Sequence, residues 1–120
     1  MEELQVISDC YELTCYLTGH IEKFPRHHRY SLGVDMEGRL RAVLALLIRA
    51  KYAGKSDGKA AILADANVEL EVLRFQLRLA KDLASLPLSS HGHAVKLISQ
   101  VGVQVGGWLK SLRKPSQASS

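Results

Sequence analysis

The sequence predicts an all-α protein that folds as an antiparallel four-helix bundle with up-down-up-down topology. Apolar residues recur at steps of three and four along nearly all of the 120 residues, and no alternating strand pattern lasts beyond a few positions. Three short connections divide this pattern into four stretches of helical length. Short connections make sequential helices antiparallel neighbours, so we expect one bundle around a single core.

Pro25 separates the first two predicted helices. The first spans about residues 2–23 and must end before the proline. Its predicted apolar stripe comprises Leu4, Ile7, Tyr11, Thr14 and Ile21. Ser31 is the predicted N-cap of the second helix. That helix carries the apolar residues Met36, Leu40, Val43, Leu44, Leu47 and Ile48.

Glycine, serine and proline mark the bounds of the last two predicted helices. Gly54 lies just past the end of the second helix, where glycine commonly terminates helices. The third predicted helix is capped by Ser56 or Asp57 and continues to about Leu86, before Pro87. The fourth runs from about Ser90 to Arg113 and ends before Pro115. We expect a folded domain over residues 1–114 and a disordered tail, PSQASS, over residues 115–120.

The third predicted helix is apolar on two opposite sides. One stripe steps alternately by three and four residues and comprises Leu63, Ala66, Leu70, Leu73, Leu77, Ala80 and Ala84. A second stripe of Val68, Val72, Phe75 and Leu79 lies about 180° away on the helix. Only one side can face the interior of a small bundle, and the connections are too short to cover the other. We therefore expect an oligomer with the second stripe in its interface.

The fourth predicted helix combines an apolar heptad with three glycines. The heptad comprises Ala94, Ile98, Val101, Val105, Trp108 and Leu112. Glycine inside a helix costs roughly 1 kcal/mol relative to alanine, so Gly102, Gly106 and Gly107 indicate a close approach of another helix. A groove filled by Phe75 or Trp108 from a neighbouring helix satisfies this requirement, and Trp108 joins the predicted oligomer interface.

The motifs that usually signal catalysis or metal binding are incomplete. The segment AGKSDGKA contains GKS, but a phosphate-binding loop needs a glycine where this chain has Arg49, and no strand precedes it. The five histidines lack the spacing of metal ligands. Cys10 and Cys15 point about 140° apart on a helix, which disfavours a disulfide, and neighbouring acids raise a thiol pKa. We expect no enzymatic activity, cofactor or metal.

Two features of the sequence predict a cytoplasmic location. No apolar run approaches the roughly 18 residues that cross a bilayer. The first ten residues are acidic, whereas a signal peptide begins with basic residues.

Basic charge is concentrated after the first helix. Residues 1–24 hold five acids against one lysine, which leaves 15 basic and seven acidic residues, a net charge of +8, on residues 25–120. Such a bias favours association with polyanions such as nucleic acid, although it also suits a merely solvated surface. The candidate contacts are Arg74, Arg78 and Lys81 on the third helix, Lys110 and Arg113 on the fourth, and Arg26 and Arg29 in the connection FPRHHRYSLG.

Four segments carry a resemblance to a known family. FPRHHRYSLG, the GKS connection, VLRFQLRLAKDL and VGGWLKSL occur in the order and spacing of accessory variability determinant proteins of diversity-generating retroelements. These proteins are similar to four-helix proteins encoded in intervening sequences of bacterial ribosomal RNA genes. The resemblance covers roughly residues 3–113, and the chain departs from the family pattern in its acidic first helix and lower net charge.

The resemblance implies a homopentamer of four-helix bundles that binds the retroelement reverse transcriptase and its RNA. In this role the polymerase performs the mutagenic copying, and the accessory protein is a noncatalytic scaffold. Arg74 and Arg78 match the family arginines of the third helix, and Arg26 matches the arginine of the first connection. The alternative is a relative of the ribosomal intervening-sequence proteins, a bundle that associates with RNA without a polymerase.

Overall fold

Four long helices account for most of the chain. The computed structural model describes the backbone of residues 2–119 and the side chains of residues 5–113. The helices are α1 (Glu2–Ile21), α2 (Arg26–His28), a π-helical turn (Arg29–Gly33), α3 (Val34–Tyr52), α4 (Ser56–Asp82) and α5 (Leu88–Ser119). The junctions at Arg29 and Val34 keep right-handed helical dihedral angles, so α2, the π turn and α3 form one continuous helix.

These helices form the predicted bundle. Each long helix packs against two others, α3 and α5 both lying between α1 and α4. The bundle measures 53 × 22 × 21 Å. We call the end with the α1–α2 and α4–α5 connections (residues 22–25 and 83–87) the upper end, and the end with the α3–α4 connection (residues 53–55) the lower end. Residues 2–119 contain no strand and no helix long and apolar enough to cross a membrane.

The core is a column of leucine and other apolar side chains contributed by all four long helices. The heptad predicted for α5 is buried from Ala94 to Trp108, and Leu112 is half-buried. On α1 the predicted stripe is confirmed only at Ile21, because Tyr11 is exposed and Ile7 and Thr14 are half-buried. The buried residues there are Val6, Cys10, Leu13, Leu17 and Ile21. This stripe runs through Cys10, which behaves as a small apolar residue when buried; Leu4 lies outside the described side chains.

The second long helix begins six residues earlier than an N-cap at Ser31 predicts. Pro25 occupies the N-cap position with extended dihedral angles, φ −52° and ψ 143°, and Arg26 is already helical. Ser31 lies within the π turn, and its hydroxyl donates a hydrogen bond to the His27 carbonyl (2.9 Å). Serine in a helix interior commonly bonds backward in this way, so its presence does not mark a helix start. The segment FPRHHRYSLG is therefore mostly helical.

Gly33 allows the π turn to lie directly on the end of α1. A Cβ added at this buried glycine would lie 2.7 Å from the Ile21 Cγ2 atom. This distance is below normal van der Waals contact, so no other residue fits without displacement of the isoleucine.

The α3–α4 connection is fixed by a lysine rather than by the predicted caps. Ala53 ends α3 in an extended conformation, and no described glycine, Gly54 included, has a positive φ. The Lys59 ammonium donates hydrogen bonds to the carbonyls of Ala50 (2.8 Å) and Lys51 (3.1 Å), at the negative end of the α3 dipole. Lys55 is the N-cap of α4, without a side-chain cap, so the predicted capping by Ser56 or Asp57 is wrong.

α4 ends at Asp82, earlier than predicted, in a tight turn around Ala84. The Ser85 N–H donates to the Ala80 carbonyl (2.8 Å), and the Ala84 N–H donates to the Lys81 carbonyl (2.9 Å). This is the Schellman arrangement. Ala84 has a φ of 59° and occupies the left-handed position where glycine is usual. The turn satisfies the last carbonyls of α4 before Pro87 is reached.

The last helix is longer than predicted at both ends. It begins at Leu88, directly after Pro87, and extends to Ser119, past the end at Arg113 that Pro115 predicted. The side chains beyond Arg113 lie outside the described residues. The prediction of a disordered tail over residues 115–120 falls on that part and stays a prediction.

Candidate nucleic-acid and partner interface

α4 presents an apolar face to solvent on the side opposite the core. The core stripe predicted for this helix is buried from Leu63 to Ala80, and only Ala84 departs from it, being exposed in the turn. On the opposite side Val68 is 62% exposed, Phe75 63% and Leu79 46%, whereas Val72 is half-buried. We call Val68, Val72, Phe75 and Leu79 the outer stripe. The described chain leaves Val68, Phe75 and Leu79 exposed and covers only Val72 in part.

The flank of the outer stripe toward α3 carries a network of hydrogen bonds and ion pairs. The Arg39 guanidinium donates to the Glu69 carboxylate (2.7 Å) and to the Asp35 carboxylate (3.0 Å). The Gln76 side-chain amide also donates to Asp35. The hydrogen bond from Arg39, followed by that from Gln76, holds the pKa of Asp35 below its usual value. These pairs join α3 to α4 and leave this flank without net basic character.

The flank toward α5 is basic, and Arg74 is anchored there within the chain. Its Nη1 donates to the Ser99 hydroxyl (3.3 Å), and its Nε lies 3.4 Å from a Glu71 carboxylate oxygen. A Cβ added at Gly102 would lie 2.7 Å from the Arg74 Nη2. The Arg74 guanidinium therefore occupies the space beside Gly102 where the insertion of Phe75 or Trp108 was predicted. A cleft of about 350 Å³ surrounds this contact.

Arg78 and Lys81 continue the basic flank toward the upper end. Arg78 is exposed, and no described carboxylate lies within ion-pair distance of it. The Lys81 ammonium lies 3.6 Å from the Asp82 carboxylate. Among the three predicted contacts on α4, Arg78 is thus the one whose charge is free for an external partner.

Arg26 and Arg29 lie at the upper end, on the helical turns that replace the predicted loop. Both side chains are exposed. The Arg29 guanidinium carbon lies 5.4 Å from the ring centroid of the exposed Tyr30. An arginine beside an exposed aromatic ring can hold a phosphate and stack a base. Because α4 ends at Asp82, Arg78 lies only about 6 Å below the same end.

Lys110 and Arg113 lie far from the other predicted contacts. Both are exposed on α5, and Lys110 is about 33 Å along the helix from Leu88. The predicted basic residues therefore form two groups, one at each half of the bundle.

Sequence reasoning missed a basic cluster around the α3–α4 connection. Arg49 and Lys55 are exposed there, and the Lys51 ammonium lies 5.1 Å from the ring centroid of the exposed Tyr52. The signal was the segment RAKYAGK, which repeats the pairing of cations with a tyrosine seen in RHHRY.

Trp108, Gly106 and Gly107 do not show the predicted close packing against a neighbouring helix within the described chain. Trp108 belongs to the core and leaves only 8% of its surface for contact with another copy. A Cβ added at Gly106 or Gly107 would have no heavy atom within 4 Å, so these glycines border open space on the bundle surface. No contact within the described chain explains why glycine stands at these two positions.

The described thiols are unpaired, and one of them is buried. Cys10 and Cys15 are both free, as predicted. Burial of Cys10 raises the pKa of its thiol to about 11, so the nucleophilic thiolate is scarce at neutral pH. Residues 5–113 contain no group of three or more His, Cys, Asp and Glu side chains placed to hold a metal ion.

One comparison with known proteins gives a match. Among models of protein families, that of the bAvd-like family matches residues 5–112. A search of curated proteins finds no match.

Proposed function

The chain belongs to the bAvd-like family, the bacterial accessory variability determinants, and from this premise we propose a noncatalytic scaffold of a diversity-generating retroelement. The scaffold joins the reverse transcriptase to template RNA or cDNA in the cytoplasm and supports mutagenic reverse transcription. The polymerase catalyses the copying, and this chain positions the nucleic acid through its basic residues. The observation that carries the proposal is the outer stripe of α4 with Arg78 beside it.

The outer stripe supports the homo-oligomeric part of the proposal. Val68, Phe75 and Leu79 form a contiguous exposed apolar strip, and burial of such a strip against another copy removes it from water. The family resemblance implies five copies. Five chains of +4 carry a charge of +20, and a ring concentrates the field of their basic flanks.

The basic flank supports the contact with a polyanionic complex. Arginine binds phosphate oxygens through its planar fork, and the exposed Arg78 has no described partner that competes for it. Arg26 and Arg29 extend the positive surface at the upper end. We expect Arg74 to contribute mainly by holding α4 against α5.

A charge-removal experiment tests this assignment. Arg78→Ala should weaken association with the polymerase–RNA complex and reduce cDNA synthesis several-fold, with an unchanged helical signal and unfolding midpoint. Arg41→Ala is the matched control, because Arg41 is also an exposed helical arginine but lies on α3. Equal activity of the two variants would contradict the role of the basic flank.

A stand-alone RNA-associated bundle, similar to the intervening-sequence proteins, is the second candidate. It is favoured by the exposed Tyr30 and Tyr52, each paired with a cation, because this arrangement suits unpaired bases without a polymerase. Binding of single-stranded RNA by the purified chain, at physiological salt and with no polymerase present, distinguishes the two candidates. Tight binding alone favours the second, and binding that requires the polymerase favours the first.

A further inference from the structure

The outer stripe of α4 needs a complementary surface on a second copy. A stripe that packs against its own equivalent joins two copies in a two-fold pair. A stripe that packs against a different face joins the copies into a ring or a filament. The other long helices, α1, α3 and α5, each offer an outward face, and their charges and heights in the bundle differ.

α5 presents an uncharged face to solvent. Residues 97–109, LISQVGVQVGGWL, contain no charged side chain. On the outward side of this segment Val103 is 76% exposed. Gly106 and Gly107 are also exposed, with open space where a Cβ would lie. The segment is therefore an unpartnered face with one apolar side chain and two positions that a second helix can approach closely.

This uncharged segment lies at the same height in the bundle as the outer stripe. The contact between Arg74 and Gly102 sets the relative heights of α4 and α5. The two helices are antiparallel and rise equally per residue, so each step up α4 is a step back along α5. The outer stripe, from Val68 to Leu79, is therefore level with residues 97–108 of α5. The apolar part of one face matches the uncharged part of the other in height and length.

Lysines at both ends of the uncharged segment match carboxylates at both ends of the outer stripe. Lys96 and Lys110 border the segment, and the sequence has no carboxylate after Asp82. By the same count along the helices, Lys96 lies near the level of Asp82 and Lys110 near that of Asp65. All four side chains are exposed, although Lys81 already lies beside Asp82. Opposite charges at the two ends favour one register of α4 against α5.

The outward faces of α3 and α1 match the outer stripe less well. The ion pair between Arg39 and Glu69 sets the heights of α3 and α4, and it places the exposed Arg41 at the level of Val68. Burial of this cation against an apolar stripe is unfavourable. α1 lies at the corner of the bundle opposite α4. Contacts through opposite corners extend copies in a line and do not close a ring.

We propose that the outer stripe of one copy packs on residues 97–109 of α5 in the next copy, in a closed ring of bundles that point the same way. This inference rests on the homo-oligomer of the proposed function and adds the surface that receives the stripe. α4 and α5 are neighbouring corners of the bundle, so successive copies turn and the ring closes. Equal heights meet in such a ring, which places Phe75 beside Val103 and Val68 beside Gly106 and Gly107.

A bulky side chain at Gly106 tests the receiving surface. Gly106→Gln should keep the helical content and weaken association about tenfold or more, because the new side chain fills the space that the second copy needs. Gly19→Gln is the matched control, because Gly19 is also an exposed helical glycine with open space around an added Cβ but lies on α1. Its mass in light scattering should equal that of the wild type at every concentration. Equal masses of all three proteins would overturn the proposal.

Disulfide formation between copies identifies the partner face. The background is Cys15→Ser, which removes the exposed free thiol. Chains with Val68→Cys, refolded together with chains carrying Gly107→Cys, should form a covalent dimer under mild oxidation. Val68→Cys refolded with Leu79→Cys should form none, although these two positions meet in an antiparallel pair of outer stripes. The reverse pattern would show that α4 packs on α4, and it would overturn the proposal.

The mass of the wild-type protein separates failure of this inference from failure of the proposed function. A monomer at every concentration would contradict the proposed homo-oligomer and this inference with it. An oligomer that is unaffected by Gly106→Gln, and that forms no disulfide between the Val68→Cys and Gly107→Cys chains, would keep the homo-oligomer. That result would overturn only the assignment of α5 as the receiving surface.

Discussion

Among the described residues other than glycine, Ala84 has a positive φ. This conformation leads to a prediction about a single substitution. A left-handed conformation costs an L-residue roughly 1 kcal/mol, part of which glycine recovers. Ala84→Gly should therefore raise the free energy of unfolding by about 0.5–1 kcal/mol, measured by chemical denaturation. Ala64→Gly, at an exposed position inside α4, is the control and should lower it by roughly 1 kcal/mol. Destabilisation by both would contradict the assigned turn.

Gly33 gives a second prediction for a single residue, because any side chain at this position would clash with α1. Gly33→Ala places a methyl group against the buried Ile21 and should cost about 1–3 kcal/mol in the free energy of unfolding. Gly58→Ala has open space around the new Cβ, so it should gain up to about 1 kcal/mol from helix propensity. Thermal unfolding of the two variants checks both signs, and stabilisation by Gly33→Ala would show that the π turn does not press on α1.

At the scale of elements, the Arg39 network that joins α3 to α4 predicts a pH dependence. The folded-state pKa of Asp35 is lower than its usual value of 3.8, so its stabilising effect is present above that value and is lost as pH falls through the folded-state pKa. Asp35→Asn should destabilise the protein at pH 7 by roughly 0.5 kcal/mol, since Asp35 is 55% exposed. Denaturation of both proteins over pH 2–7 should show this difference vanish at the acidic end. A constant difference would exclude an ionic role for Asp35.

The elements also show which features the sequence predicts and which depend on the fold. The core stripes of α4 and α5 follow from regular steps of three and four, because leucine and valine at those positions have one favourable side to bury. The stripe of α1 was misplaced because it runs through Cys10, whose character depends on burial. Ser31 lies inside the second long helix because Pro25 is its N-cap, and Ser56 is the first residue of α4 and not its cap. Gly54 follows the end of α3 as predicted, but Lys59 and not a glycine turn satisfies the last carbonyls there.

The residues of the candidate site could be predicted from the sequence, but the contacts between them could not. The outer stripe and the cations beside it could be assigned from helical spacing alone. The anchoring of Arg74 on Gly102 depends on how α4 and α5 are aligned, and no local pattern encodes that alignment. Burial of Trp108 in its own bundle likewise follows from the rotation of α5 about its axis.

At the scale of the whole molecule, the outer stripe predicts how a single change would alter assembly. Phe75→Glu places a charge at the centre of the stripe, and burial of an unpaired carboxylate against another copy is strongly unfavourable. The variant should be monomeric in sedimentation velocity, with unchanged helical content. Tyr11→Glu, at an exposed aromatic residue of α1, is the control and should keep the oligomer intact. An equal effect of both would mean that α4 is not the interface.

The mass of the wild-type protein in solution tests the central claim most directly. A chain with an exposed outer stripe has the mass of a monomer, and one whose outer stripe is buried against other copies has the mass of an oligomer. Light scattering coupled to size exclusion, over a hundredfold range of concentration, should give about five times the 13.2 kDa chain mass. A mass of 13.2 kDa at every concentration would contradict the account, since α4 would then present its outer stripe to water and to no second copy.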